Sequence, residues 1–211
     1  MAAARDESPG GGSTRSPSAR SFEYLERRLT AAAEAYEHDR YEEALLAVRP
    51  VVERVPDAPA VMELYGLTLY RLGRWRQAAK QLRELHLRTG SFDQFPVIAD
   101  CERALGHPER VRELWDELRR SGVDHEVLVE GRLVMAGALA DGGALDSAIA
   151  LLEPEQRNRR NPSLAHLRQW YALADLYERA GDLPRARQLF GRVALADPEA
   201  LDAPERLRAL R

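Results

Sequence analysis

The sequence predicts an all-α protein: one domain built as a solenoid of five antiparallel helical hairpins. Three observations carry that prediction. First, an apolar anchor recurs at Ala44, Ala78, Val111, Ala148 and Ala186, in steps of 34, 33, 37 and 38 residues. Second, each anchor has a punctuation residue five places before it: Asp39, Gly73, Gly106, Gly143 and Gly181. Third, side-chain size alternates in phase with the anchors. Ala32, Gly66, Ala99, Ala136 and Ala174 stand twelve places before them, and Val48, Leu82, Trp115, Leu152 and Phe190 four places after. A period of this length marks stacked hairpins, each too small to bury its apolar face alone.

The elements follow in order. Residues 1–20 are rich in Gly, Ser and Pro and have no apolar periodicity, so they read as a disordered arm that buries too little to offset its ordering entropy. From Phe22 the period turns helical through Leu25, Leu29, Ala32 and Tyr36, and the first hairpin spans about residues 22–56. Pro50 lies in its return helix, where a missing N–H predicts a kink near Leu46. The second hairpin, 59–90, places Val61, Leu64, Tyr65 and Leu69 on one helix and Trp75, Ala78, Leu82 and Leu85 on the other. The third, 92–122, turns at Gly106-His107-Pro108, with Pro108 suited to a first helical position. The fourth, 125–157, is cut short by Pro154, and a basic loop over 157–160 lengthens the step into the fifth. The fifth hairpin, 163–197, runs from Leu167 through Gly181 to Val193. Residues 199–211 form a terminal helix that shields the end of the stack.

Composition narrows the function. Net charge is −3, with 31 basic against 34 acidic side chains, so there is no footprint for nucleic acid and no reason to expect a membrane surface. One cysteine, Cys101, excludes an intramolecular disulfide and fits a reducing compartment. No apolar run approaches the ~18 residues of a membrane span, so a cytoplasmic protein is expected. The five histidines show no metal-ligand spacing, and there is no phosphate loop or nucleophile elbow. No cofactor, metal or enzymatic activity is expected.

The same residues resemble the tetratricopeptide repeat family. The fifth hairpin fits best, through Trp170, Leu173, Ala174, Tyr177, Gly181, Ala186, Phe190 and Pro198. The second follows through Tyr65, Gly66, Leu69, Gly73, Trp75, Ala78 and Leu82. The third and fourth depart from the pattern, with Val111 for the anchor Ala and Glu155 at a small-residue position. The resemblance covers about residues 24–198. It implies a right-handed α-solenoid in which the first helix of each hairpin lines an inner, concave face. On that face the partner-binding positions fall at Tyr36, Glu63, Tyr70, Arg71, Asp100, Arg103, Tyr171, Asp175 and Arg179, beside Pro96, Leu133 and Gly137. Some relatives grip the C-terminal carboxylate of chaperones with a Lys and Asn pair. Leu29 and Ala33 stand in those places here, so that clamp is missing.

The function implied is a non-enzymatic scaffold that holds a protein or peptide segment in its concave groove. The alternative is a regulatory or accessory protein that acts by self-association of the stack into a homo-oligomer.

Overall fold

The computed structural model describes residues 19–153, 162–199 and 201–210. The sequence-predicted arm through residue 18, Pro154, Glu155 and the basic loop at 157–160 lie outside the described residues. The described residues form eleven helices: α1 (Ala19–Glu37), α2 (Tyr41–Arg54), α3 (Pro59–Arg71), α4 (Trp75–Thr89), α5 (Phe95–Ala104), α6 (Pro108–Leu118), α7 (His125–Asp141), α8 (Leu145–Leu152), α9 (Leu164–Arg179), α10 (Leu183–Ala196) and α11 (Ala203–Ala209). Consecutive helices pair as five hairpins. Each return helix also packs on the next hairpin, and the odd-numbered helices α3, α5, α7 and α9 touch one another along one face.

The sequence register is the packing register. All five anchors are fully buried, and the small first-helix residues Ala32, Ala99, Ala136 and Ala174 are at most 4% exposed. The reason is close approach of the helix axes. A Cβ built on Gly66 would lie 2.5 Å from Leu82 Cδ2, so the second hairpin closes only because position 66 carries no side chain. The third unit differs. Trp115 is half-buried, and Leu118, a turn further on, takes the interior place. Leu118 packs against Gly131 of the next hairpin, where a Cβ would come within 2.3 Å of its Cδ2.

The punctuation residues close the hairpins by one shared geometry. Gly73, Gly106, Gly143 and Gly181 have φ between 70° and 82°, and Asp39 reaches the same left-handed region at 58°. In each turn the next N–H reaches back five residues, as in Arg74 N to Leu69 O (2.9 Å) and Arg40 N to Ala35 O (2.9 Å). This is the Schellman closure, which satisfies carbonyls left free at a helix end. Asp tolerates it through its short polar side chain.

Pro50 leaves α2 continuous from Tyr41 to Arg54. Its missing N–H deprives the Leu46 carbonyl of a partner. Arg28 of α1 fills the gap: its Nη2 donates to Leu46 O and its Nε to Ala47 O at 3.2 Å. At the other end α11 covers the last hairpin. Ala203 is fully buried, and Arg206 reaches Asp175 and Glu178 at 2.8 Å each.

Candidate partner-binding groove

The inner helices stop short of closing on each other and leave a groove of about 690 Å³ along α5, α7 and α9, with Tyr70 of α3 at one edge. That volume falls within the ~300–1,000 Å³ of ligand clefts. Its apolar surface comes from Pro96, Val97, Val127, Leu133, Val134 and Leu164. The opening has a sequence cause: α7 carries Gly137 where a larger side chain would fill the space.

Polar groups are held along one wall. Tyr70 Oη donates to Asp100 Oδ2 at 2.7 Å, and Arg103 Nε donates to Asp100 Oδ1 at 2.9 Å. Arg103 also reaches Asp141 of α7 at 2.8 Å, which ties the third hairpin to the fourth. Burial, then the hydrogen bond to Asp100, pushes the Tyr70 hydroxyl well above its ordinary range, so it stays a donor. Opposite, Arg168 of α9 donates to Glu130 of α7 at 2.8 Å. Asp93, just before α5, and Glu126, in the first turn of α7, also line the groove.

The structure gathers Tyr70, Asp100 and Arg103, with Pro96, Leu133 and Gly137, at this one groove. The other sequence-named residues lie elsewhere. Tyr36 stacks edge-on with Tyr41 at 5.4 Å, and Arg71 lies 4.4 Å over the Tyr41 ring and 3.2 Å from Asp39. Glu63 accepts from Gln94 Nε2 at 2.7 Å, beside a separate cavity of about 120 Å³. Arg206 of α11 holds Asp175 and donates to Tyr171 Oη at 3.3 Å, while Tyr171 itself donates to Asp202. Arg179 donates to the Ala140 carbonyl at 3.1 Å.

Sequence reasoning missed Asp93, Val97, Glu126, Val127, Glu130 and Arg168. Counting groove positions from the residue after the family's Trp place toward the helix C-terminus leaves out the first turns of α7, which has 17 residues against 10 in α5. Glu126 and Glu130 are one turn apart, so a helical reading that begins at His125 places both on one face.

Two other clusters bear on chemistry. Cys101 is fully buried, and burial pushes its thiol up to about 12, far from the range of a reactive thiolate. His125 and His166 meet across α7 and α9 with ring centroids 6.1 Å apart. Among the described residues no group of three His, Cys, Asp or Glu side chains could hold a metal ion. Among the described residues, too, no helix is long and apolar enough to cross a membrane.

The architecture defines a class of protein, the helical-hairpin solenoid with an inner groove. Within that class, residues 29–93 match the family model of the tetratricopeptide repeat. The remaining hairpins continue the same fold, as comparison with solved structures shows. The tetratricopeptide repeat protein TTC0263 of Thermus thermophilus superposes with a TM-score of 0.70 at 21% identity, covering 88% of this chain and 98% of that one. PilF of Pseudomonas aeruginosa gives 0.57 at 15% identity, over 90% of this chain and 85% of its own. The MamA protein gives 0.55 at 14% identity, over 84% and 94%. No curated protein matches the chain in sequence.

Proposed function

We propose that the protein is a non-enzymatic scaffold that holds a segment of a partner protein in the groove along α5, α7 and α9. The observation that carries this reading is the groove itself, about 690 Å³ with an apolar floor and ordered polar walls. Tyr70 is its anchor residue: large, with few rotamers to lose, and fixed in place by Asp100. Self-association is the competing reading. It draws on Phe22 and Tyr24 of α1, which are 59% and 46% exposed.

The test is selection of binders from a random peptide display library, followed by affinity measurement on variants. Gly137→Leu is the groove-filling variant. The three heavy atoms nearest a Cβ there belong to Arg103, at 3.5–3.6 Å, ordinary contact, so the fold tolerates a side chain that occupies the floor. Selected peptides should lose binding to Gly137→Leu. Tyr70→Ala should weaken them by about 2 kcal/mol, roughly thirtyfold. Peptides that bind Gly137→Leu as they bind the parent protein would place the interaction outside the groove. Light scattering that shows a stable dimer would favour self-association.

A further inference from the structure

The charges lining the groove are unequal, and their pairing makes the imbalance larger. Among the described lining residues, Asp93, Asp100, Glu126 and Glu130 face two guanidinium groups, Arg103 and Arg168. Arg103 is committed to Asp100 and Asp141, and Arg168 to Glu130, all at 2.8–2.9 Å. The Tyr70 hydroxyl is committed to Asp100. Among the described residues, an anionic ligand would therefore meet no uncommitted cation along the walls. Asp93 and Glu126, by contrast, are exposed carboxylates whose side chains have no partner among the described residues. They stand at the N-terminal ends of neighbouring inner helices, α5 and α7, and so share one end of the groove.

We propose that the segment bound in the groove is an extended apolar stretch flanked by arginine or lysine, with Asp93 and Glu126 receiving the cationic side chains. This rests on the reading of the groove as a peptide site. The apolar residues of the segment lie against Val97, Val127 and Leu133. The charge complement selects among such segments rather than supplying most of the affinity, since exposed ion pairs are weak singly and act mainly on specificity and encounter rate. The occupant is a segment of another protein; this chain's own N-terminal residues and a second copy of the chain are the competitors.

The experiment extends the same display selection. Three readouts are taken on the full chain: the composition of enriched peptides, their affinity for the double variant Asp93→Asn/Glu126→Gln, and the salt dependence of binding. The expected result is enrichment of Arg and Lys beside apolar residues. Synthesised versions should bind the double variant roughly tenfold more weakly and with a flatter salt dependence. Peptides lost on Gly137→Leu yet lacking basic residues, or indifferent to the double variant, would leave the groove standing and overturn the charge assignment. Failure to select any peptide, or peptides indifferent to Gly137→Leu, would overturn the groove reading itself. A large affinity gain on deleting residues 1–18 would make that segment the occupant. A dimer dispersed by the double variant would make it a second copy. Either outcome refutes the proposal of a separate partner.

Discussion

Adding one methyl group to Gly66 and to Gly137 should move stability in opposite directions. Both glycines lie inside helices, α3 and α7, where replacement by alanine removes backbone entropy from the unfolded chain and gains about 0.5–1 kcal/mol. What differs is the space. At Gly137 the new Cβ meets Arg103 atoms no closer than 3.5 Å, so the gain stands. At Gly66 it would sit 2.5 Å from Leu82 Cδ2 and 2.8 Å from its Cγ, against an ordinary carbon–carbon separation of roughly 3.5–4.0 Å. Leu82 cannot swing away, because it is fully buried. Overpacking of a fixed core costs about 1–3 kcal/mol, which outweighs the entropic gain. The net expectation is a loss of about 1–2 kcal/mol for Gly66→Ala and a gain of up to about 1 kcal/mol for Gly137→Ala. Gly131→Ala, with Leu118 Cδ2 at 2.3 Å, should fall with Gly66→Ala. Urea melts followed by far-ultraviolet circular dichroism measure all three. Gly66→Ala as stable as Gly137→Ala would refute the claim that the hairpin closes on a missing side chain.

Two further outcomes are expected. Arg28→Ala should destabilise by about 1–2 kcal/mol, because it strips charge-assisted hydrogen bonds from the Leu46 and Ala47 carbonyls. In a Pro50→Ala background the restored N–H serves Leu46, so the loss should shrink; additive urea-melt energies would show that Arg28 does not compensate for the proline. Burial alone would raise the Glu102 carboxyl, but hydrogen bonds from Arg83 and His107 outweigh it and hold the carboxyl below its ordinary 4.5. A carboxyl depressed in the folded state stabilises above its unfolded value and loses that contribution as pH falls through the folded one. The urea midpoint of the parent protein should therefore drop more steeply below about pH 4.5 than that of Glu102→Gln. Parallel curves would contradict the assignment.

The fold was legible because its determinants are local and repeated. A left-handed turn residue, a small residue and an anchor each report on one hairpin, and five copies reinforce one another. Trp115 escaped because its register position says nothing about the next hairpin, where Gly131 admits Leu118 instead. Arg28 escaped for a related reason. Composition marks Pro50 as a break, but only tertiary geometry shows which side chain repairs it. The groove was legible in part. Tyr70, Asp100 and Arg103 follow from counting along the inner helices. Tyr171 and Asp175 follow from the same count, yet α11 lies over them, since a terminal helix can present an arginine to the inner face of the last hairpin. Glu126 and Arg168 lie toward the N-terminal ends of their helices, where position depends on how far a helix extends beyond its neighbour, and the repeat length does not encode that.

The nearest-neighbour layout bears on how a bound segment would be felt. The substantial helix contacts join helices no more than two places apart in the chain. In such a one-dimensional stack, opening at one end weakens the next interface and little else. A ligand lying across α5, α7 and α9 would add a connection between helices separated by four places, spanning joints that the chain itself joins only in sequence. Its stabilisation would then concentrate in the interior hairpins: amide hydrogen exchange there should slow on binding while the outer turns of α1 continue to fray.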